Sequence, residues 1–148
     1  MIHLIFRKLS NRSKRDIAAA IRKAEAETSG EIQVHLSYAK DEDDILGAAK
    51  ARFAVVHLHE TKYRNCVLLY VNLRMKKFAL YGDEGIHQKV GQNFWNDLSL
   101  SVSQSMKEKN VHHGMVHAVE KIGKALKDFF PSESGGKSAL SDEVSESD

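Results

Sequence analysis

Glu31, Asn65, Asp83 and Glu84 are the residues through which this 148-residue chain could do chemistry. Carboxylate and amide oxygens gathered around short loops form the ligand set that Ca²⁺ accepts, and Mg²⁺ would use fewer of them with more water. The four stand in three separate segments, Gly30-Glu31, Arg64-Asn65 and the turn Gly82-Asp83-Glu84-Gly85. A plainer reading competes, in which Asp83 only caps the helix that follows it and Glu31 only pairs with Arg64. Both readings depend on what the chain brings together.

The elements around these residues predict that they meet. Cys66-Val67-Leu68-Leu69-Tyr70-Val71 is apolar on both alternating faces, as expected of a central strand covered on both sides. Glu31 to Tyr38 alternates, with Ile32, Val34 and Leu36 on one face and Gln33, His35 and Ser37 on the other, which predicts one half-exposed face. Between them, Asp41 to about Leu58 carries Ile45, Leu46, Ala49, Phe53 and Val56 at helical spacing behind an acidic first turn. Strand, helix, strand implies a right-handed crossover and two parallel, neighbouring strands. A short basic turn then leads to Lys77-Phe78-Ala79-Leu80-Tyr81-Gly82, the returning arm of a hairpin. The starts of strands 31–38 and 65–72 therefore lie at the same edge as the end of strand 77–82, and three distant polar segments converge there.

Around this centre the periodicity predicts a first helix from about Ser13 to Thr28, a short helix from Gly85 to Gly91, a longer one from Asn93 to about Lys109, and a last from about His113 to Phe129. The order α-β-α-β-β-α-α-α gives an α/β fold, a three-layer α/β/α sandwich whose small mixed sheet has a parallel pair plus an antiparallel hairpin strand. One domain, residues 1–131, is followed by an acidic tail, 132–148. That tail holds Glu133, Asp142, Glu143, Glu146 and Asp148 against Lys137 alone, so the formal net charge of +2 conceals a more basic body. Its Ser, Gly and acid content predicts disorder.

Other chemistries are poorly supported. Asp41-Glu42-Asp43-Asp44 is a second, weaker cation candidate at the opposite end of the sheet, but it lacks the spacing and internal glycine of an EF-hand loop, and a charged helix start accounts for it. His113 and His117 stand four apart without the intervening Glu of a zinc protease, and His57 and His59 are close in sequence; surface or core histidines are the expectation. Cys66 is followed by apolar residues, not by a phosphate-binding glycine loop, so it is expected as a small buried hydrophobe. No Gly-rich loop with Lys-Ser/Thr and no Gly-x-Ser-x-Gly elbow is present, so any hydrolysis would need a metal to activate water beside Glu31 or Asp83. The basic residues are interleaved with acids and show no aromatic RNA-reading motif, which argues against nucleic acid. Met1 to Lys8 is too short for a membrane span, and with a single cysteine the expectation is a soluble, cytoplasmic protein.

Thr28-Ser29-Gly30-Glu31-Ile32, Leu58-His59-Glu60-Thr61 leading to Arg64-Asn65-Cys66, and Gly82-Asp83-Glu84-Gly85-Ile86-His87 together resemble the TPM domain. Val90-Gly91, Asn93-Phe94-Trp95, Gly123 and Phe130-Pro131 resemble its compact soluble bacterial branch. The module occurs in thylakoid-lumen acid-phosphatase-like and photosystem II repair proteins. The resemblance implies an α/β/α sandwich and, in some members, Ca²⁺ or related divalent-ion binding and weak phosphatase activity, with the family's acidic positions falling on Glu31 and Asp83. Cys66 departs from the family by replacing a glycine common after the Asn, and the family's usual signal peptide and membrane anchor are not expected here. The expected function is thus divalent-cation binding by Glu31 and Asp83, helped by Asn65 and Glu84. The alternatives are a metal-dependent phosphatase of low activity and a protein-interaction module with a structural cation or none.

Overall fold

Glu31 pairs with Cys66, and the parallel register continues to Ser37 opposite Asn72, which sets β1 (Glu31–Ser37) beside β2 (Cys66–Asn72). β3 (Lys77–Gly82) returns antiparallel to β2, with Gly82 opposite Val67. The computed structural model describes residues 8–132 and 144–147. In it, the helices α1 (Asn11–Glu25), α2 (Ile45–Val55), α3 (Glu84–Glu108) and α4 (Val111–Phe129) cover a four-stranded mixed sheet. The parallel pair, the crossover through α2 and the hairpin are as the sequence predicts.

Alternation along the strands divides the core between two faces. Ile32, Val34 and Leu36 of β1 with Val67, Leu69 and Val71 of β2 pack against α1, α3 and α4 through Ile17, Ile21, Trp95, Leu98, Met115, Ile122 and Leu126. Cys66, Leu68 and Tyr70 turn to the other face, where Ala49 and Phe53 of α2 cover them with Ala79 of β3. Each fully buried Ile or Leu contributes about 1.5–3 kcal/mol relative to exposure, so the larger face carries most of the burial energy. The sheet is held between α2 and the other three helices, the expected three-layer arrangement.

Helix ends follow local chemistry. Ser10 caps α1 by accepting from the Ser13 amide, Asp44 caps α2 through the Gly47 amide, and Asn110 caps α4 through the His113 amide. The second helix therefore starts at Ile45, later than the Asp41 expected from the acidic run, because Asp44 is spent on the cap. Leu46, expected inward, is 42% exposed. Gly91, at φ 77°, breaks α3 into the two helical stretches expected on either side of it.

Two expectations are corrected. The tail of residues 132–148 was expected to be disordered throughout, and residues 133–143 lie outside the described residues; Val144–Ser147, however, forms β4, parallel to β1 with Val34 opposite Val144. Sequence alternation missed it because four residues with one apolar side chain carry almost no periodic signal. Strand β1 was also expected to have a half-exposed face, yet all seven of its residues are buried. Two segments contribute to this: Ser145 and Ser147 of β4 place hydroxyls 2.7 Å from Nδ1 and Nε2 of His35, and in the loop before α2 Glu42 accepts from Ser37 at 2.6 Å. Glu146 secures the strand by accepting from Tyr38 Oη at 2.7 Å and from Lys14 Nζ at 2.8 Å.

Deleting residues 144–148 is expected to leave the helices and β1–β3 folded, since neither core cluster depends on the tail beyond Val144 at the margin of one of them. The Tyr38 amide, which donates to the Ser147 carbonyl at 3.2 Å, should exchange at least about tenfold faster. Hydrogen exchange by NMR checks this; unchanged Tyr38 protection would show that β4 does not hold the edge of β1.

Candidate functional site at the sheet edge

The parallel register brings the three polar segments together through the backbone. The Glu31 amide donates to the Asn65 carbonyl at 3.4 Å, and the Asp83 amide donates to the Cys66 carbonyl at 2.9 Å. Arg64, in the left-handed region at φ 52°, turns its carbonyl toward the first turn of α3. There it accepts from the amides of Gly85 at 2.8 Å and Ile86 at 3.3 Å, two of the donors that a helix N-terminus leaves without intrahelical partners. The predicted meeting of residues 31, 65 and 83–84 at one end of the sheet is observed.

The side chains are arranged less simply. Asp83 is 3% exposed and caps α3 by accepting from the Glu84 amide at 2.8 Å. Arg64 forks onto it, Nε to Oδ2 at 2.6 Å and an Nη to Oδ1 at 2.8 Å, and its other Nη reaches Glu84 at 3.2 Å. Glu31 is also 3% exposed, Asn65 is 1% exposed and donates to Ser29 Oγ at 3.3 Å, and the Glu84 side chain projects into solvent. Among the described residues, Glu31, Asp83 and Glu84 are not drawn into one coordination sphere. The plainer reading thus holds for Asp83, which does cap the helix, while Arg64 takes Asp83 and Glu84 as its carboxylate partners.

A further carboxylate belongs to this neighbourhood. Glu25, 5% exposed in the last turn of α1, accepts from the Ile32 amide at 2.7 Å. Burial, then the fields of Glu31, Asp83 and Glu25, push the Cys66 thiol far above its ordinary range. Burial and these fields favour the thiol form of Cys66 within the core, and three carboxylates lie near enough to act on one sulfur. The sequence held a signal for Glu25, since an acid in the last turn of a helix opposes the macrodipole and needs another reason to be there. Beside the site, a cavity of about 380 Å³ is lined by Lys50, Arg64, Asp83, Glu84, His87 and Trp95, with Trp95 donating to His87 Nδ1 at 3.0 Å.

The other candidates resolve into structural roles. Glu42 is a hydrogen-bond hub at the far end of the sheet, accepting from Ser37, from Tyr70 Oη at 2.5 Å and from Asn72 Nδ2 at 2.7 Å. Burial pushes its pKa up, but these three hydrogen bonds outweigh that effect and leave the carboxyl below its ordinary pKa. Asp41, Asp43 and Asp44 stay exposed, so the acidic run does not gather around a cation. His113 turns to Asn110 Oδ1 at 3.0 Å and His117 to Ser101 Oγ at 3.0 Å, so this pair of histidines serves separate partners.

Comparison with known proteins agrees with this architecture. The TPM domain matches residues 7–125. The NMR structure of BA42 protein from the psychrophilic bacterium Bizionia argentinensis is similar at 35% identity and a TM-score of 0.86, covering 97% of this chain and 98% of that one. The N-terminal domain of cg2496 protein from Corynebacterium glutamicum shares the fold at 15% identity and a TM-score of 0.63, with 90% and 81% of the two chains covered. An N-terminal domain of a P. gingivalis protein does so at 18% and 0.55, covering 81% and 77%. Among curated proteins, none matches the chain.

Proposed function

The chain belongs to the TPM domain family, and from that premise we propose that it is a divalent-cation-binding module whose site lies at the shared edge of β1, β2 and β3. Glu31 and Asp83 would supply the carboxylate oxygens, and Asn65 and Glu84 would add amide and carboxylate oxygens as helpers. The observation that carries the proposal is the placement of two carboxylates, each 3% exposed, at one end of the sheet beside the buried Cys66. Oxygen donors of this kind suit Ca²⁺ first and Mg²⁺ second. Arg64 competes for Asp83, so a cation has to share or displace that fork, and the affinity should be weak, with a dissociation constant of about 10⁻⁴ M or above.

A Ca²⁺ and Mg²⁺ titration followed by backbone amide NMR tests this. Saturable shifts at Glu31, Asn65 and residues 83–85 are expected, together with a rise in melting temperature that follows mass action. Glu31→Gln and Asp83→Asn should each remove both effects. Unchanged cation-dependent stability in the two variants would show that these are the wrong residues.

A second reading, a metal-dependent phosphatase of low activity, has one observation in its favour: Arg64 and Lys50 line the same cavity as Asp83 and Glu84, so a phosphate and a cation could meet there. Among the described residues Cys66 does not supply a nucleophile beside them, since it is buried and its thiol form is favoured. The third reading, an interaction module, finds support in β4, which shows that the outer edge of β1 accepts an added strand. No described helix is long and apolar enough to cross a membrane. A cytoplasmic setting belongs to the same proposal and rests on the single buried thiol.

A further inference from the structure

We infer that the turn leaving α2 is a second, chemically distinct metal site, in which His57, His59 and Glu60 bind a borderline transition cation of the Zn²⁺ class. Two imidazoles and a carboxylate are the donors such cations prefer, whereas Ca²⁺ and Mg²⁺ favour all-oxygen sites. Among the described residues these three form the group whose ligand atoms, one from each side chain, all lie within 4.8 Å of one another. Nothing in the proposed sheet-edge site depends on them.

The turn is built to hold that spacing. His57 lies in the left-handed region at φ 59°, just past the end of α2, and its amide donates to the Ala54 carbonyl at 3.1 Å. Leu58, 3% exposed, drops into the smaller core beside Phe53, and its amide donates to the Phe53 carbonyl at 3.0 Å. With Leu58 anchored inward, the residues on either side of it are thrown outward, and the two imidazole centroids lie 6.1 Å apart. The Glu60 amide then donates to the His57 carbonyl at 3.1 Å, which folds Glu60 back until Oε1 is 3.8 Å from His57 Nδ1.

A further feature favours a cation: the C-terminus of α2 turns the partial negative charge of its last carbonyls toward this turn. The His57 and Glu60 side chains are 66% and 64% exposed, so a metal held by three protein groups would keep open positions for water or for a ligand from outside.

The test is a Zn²⁺ titration of the tag-free full chain by isothermal calorimetry, in millimolar Ca²⁺ to occupy any all-oxygen site, with His57→Gly, His59→Gln and His113→Gln alongside. His57→Gly removes a ligand while relieving the left-handed backbone, so its melting temperature should hold or rise. The expected result is one Zn²⁺ equivalent bound with micromolar affinity, weakened at least about tenfold in His57→Gly and in His59→Gln and unchanged in His113→Gln. Absence of micromolar Zn²⁺ binding would overturn the inference. Binding that survives His57→Gly and His59→Gln, or is lost in His113→Gln, would overturn it equally.

Discussion

Replacing Gly85 by alanine is expected to destabilise the protein by about 2 kcal/mol, against the usual direction for a glycine inside a helix. Alanine gains about 1 kcal/mol of helix propensity at such a position. Here, however, an added Cβ would lie 2.1 Å from the Tyr63 carbonyl oxygen and 2.6 Å from that of Arg64, and both are backbone atoms that cannot rotate away. The Arg64 carbonyl is also the acceptor for the Gly85 amide, so relieving the clash separates α3 from the loop that feeds β2 and breaks a hydrogen bond worth about 1 kcal/mol. Gly47→Ala is the control. Its Cβ would meet Asp44 Oδ2 at 2.3 Å, but Asp44 is an exposed side chain that can swing outward, so the change should stay below about 1 kcal/mol. Urea unfolding of the two variants decides the matter; equal stabilities would mean that the approach of α3 to residues 63–64 does not constrain the sheet edge. Because Arg64 and Asp83 flank that approach, Gly85→Ala should also loosen their ion pair.

The same stretch shows how far sequence could reach. The meeting of residues 31, 65 and 83 was legible because it follows from strand polarity alone: a parallel crossover and a hairpin fix which ends coincide. Side-chain partnership was not legible, since Arg64 chooses Asp83 through a left-handed backbone that a non-glycine residue does not announce. Glu42 was hidden for a similar reason. Its three donors come from β1 and β2, and four consecutive acids look alike until the loop places one of them over the strand ends. Strand β4 lay furthest out of reach, for its hold on the sheet comes from polar contacts to Tyr38, Lys14 and His35, and apolar patterning does not register those.

Those polar contacts set the second large effect, a loss of about 2 kcal/mol of stability between pH 7 and pH 5 that rests on His35. The His35 side chain is 1% exposed, and burial, reinforced by the charge of Arg52, lowers its pKa from 6.5 to about 4 in spite of Glu42 and Glu146 nearby. The neutral ring has one donor and one acceptor nitrogen, and the Ser145 and Ser147 hydroxyls can satisfy both. Unfolding exposes the ring to water and restores its ordinary affinity for a proton. Between pH 6.5 and 4 the unfolded chain therefore binds more protons than the folded one, and stability falls as the pH falls, by about 3 kcal/mol in all at pH 4. The depressed carboxyls of Glu42 and Glu146 add to the loss below their ordinary value of 4.5, which leaves the interval from pH 7 to 5 chiefly to the histidine. Urea unfolding at pH 7 and pH 5 should show the drop in the intact protein and a much flatter response in His35→Gln, which keeps a donor and an acceptor but does not titrate. Removal of residues 144–148 should flatten it in part, because opening the edge of β1 lets water reach the ring and returns its pKa toward 6.5. A pH dependence that persists undiminished in His35→Gln would assign the effect to another group and remove the histidine from the account of what holds β4 against the sheet.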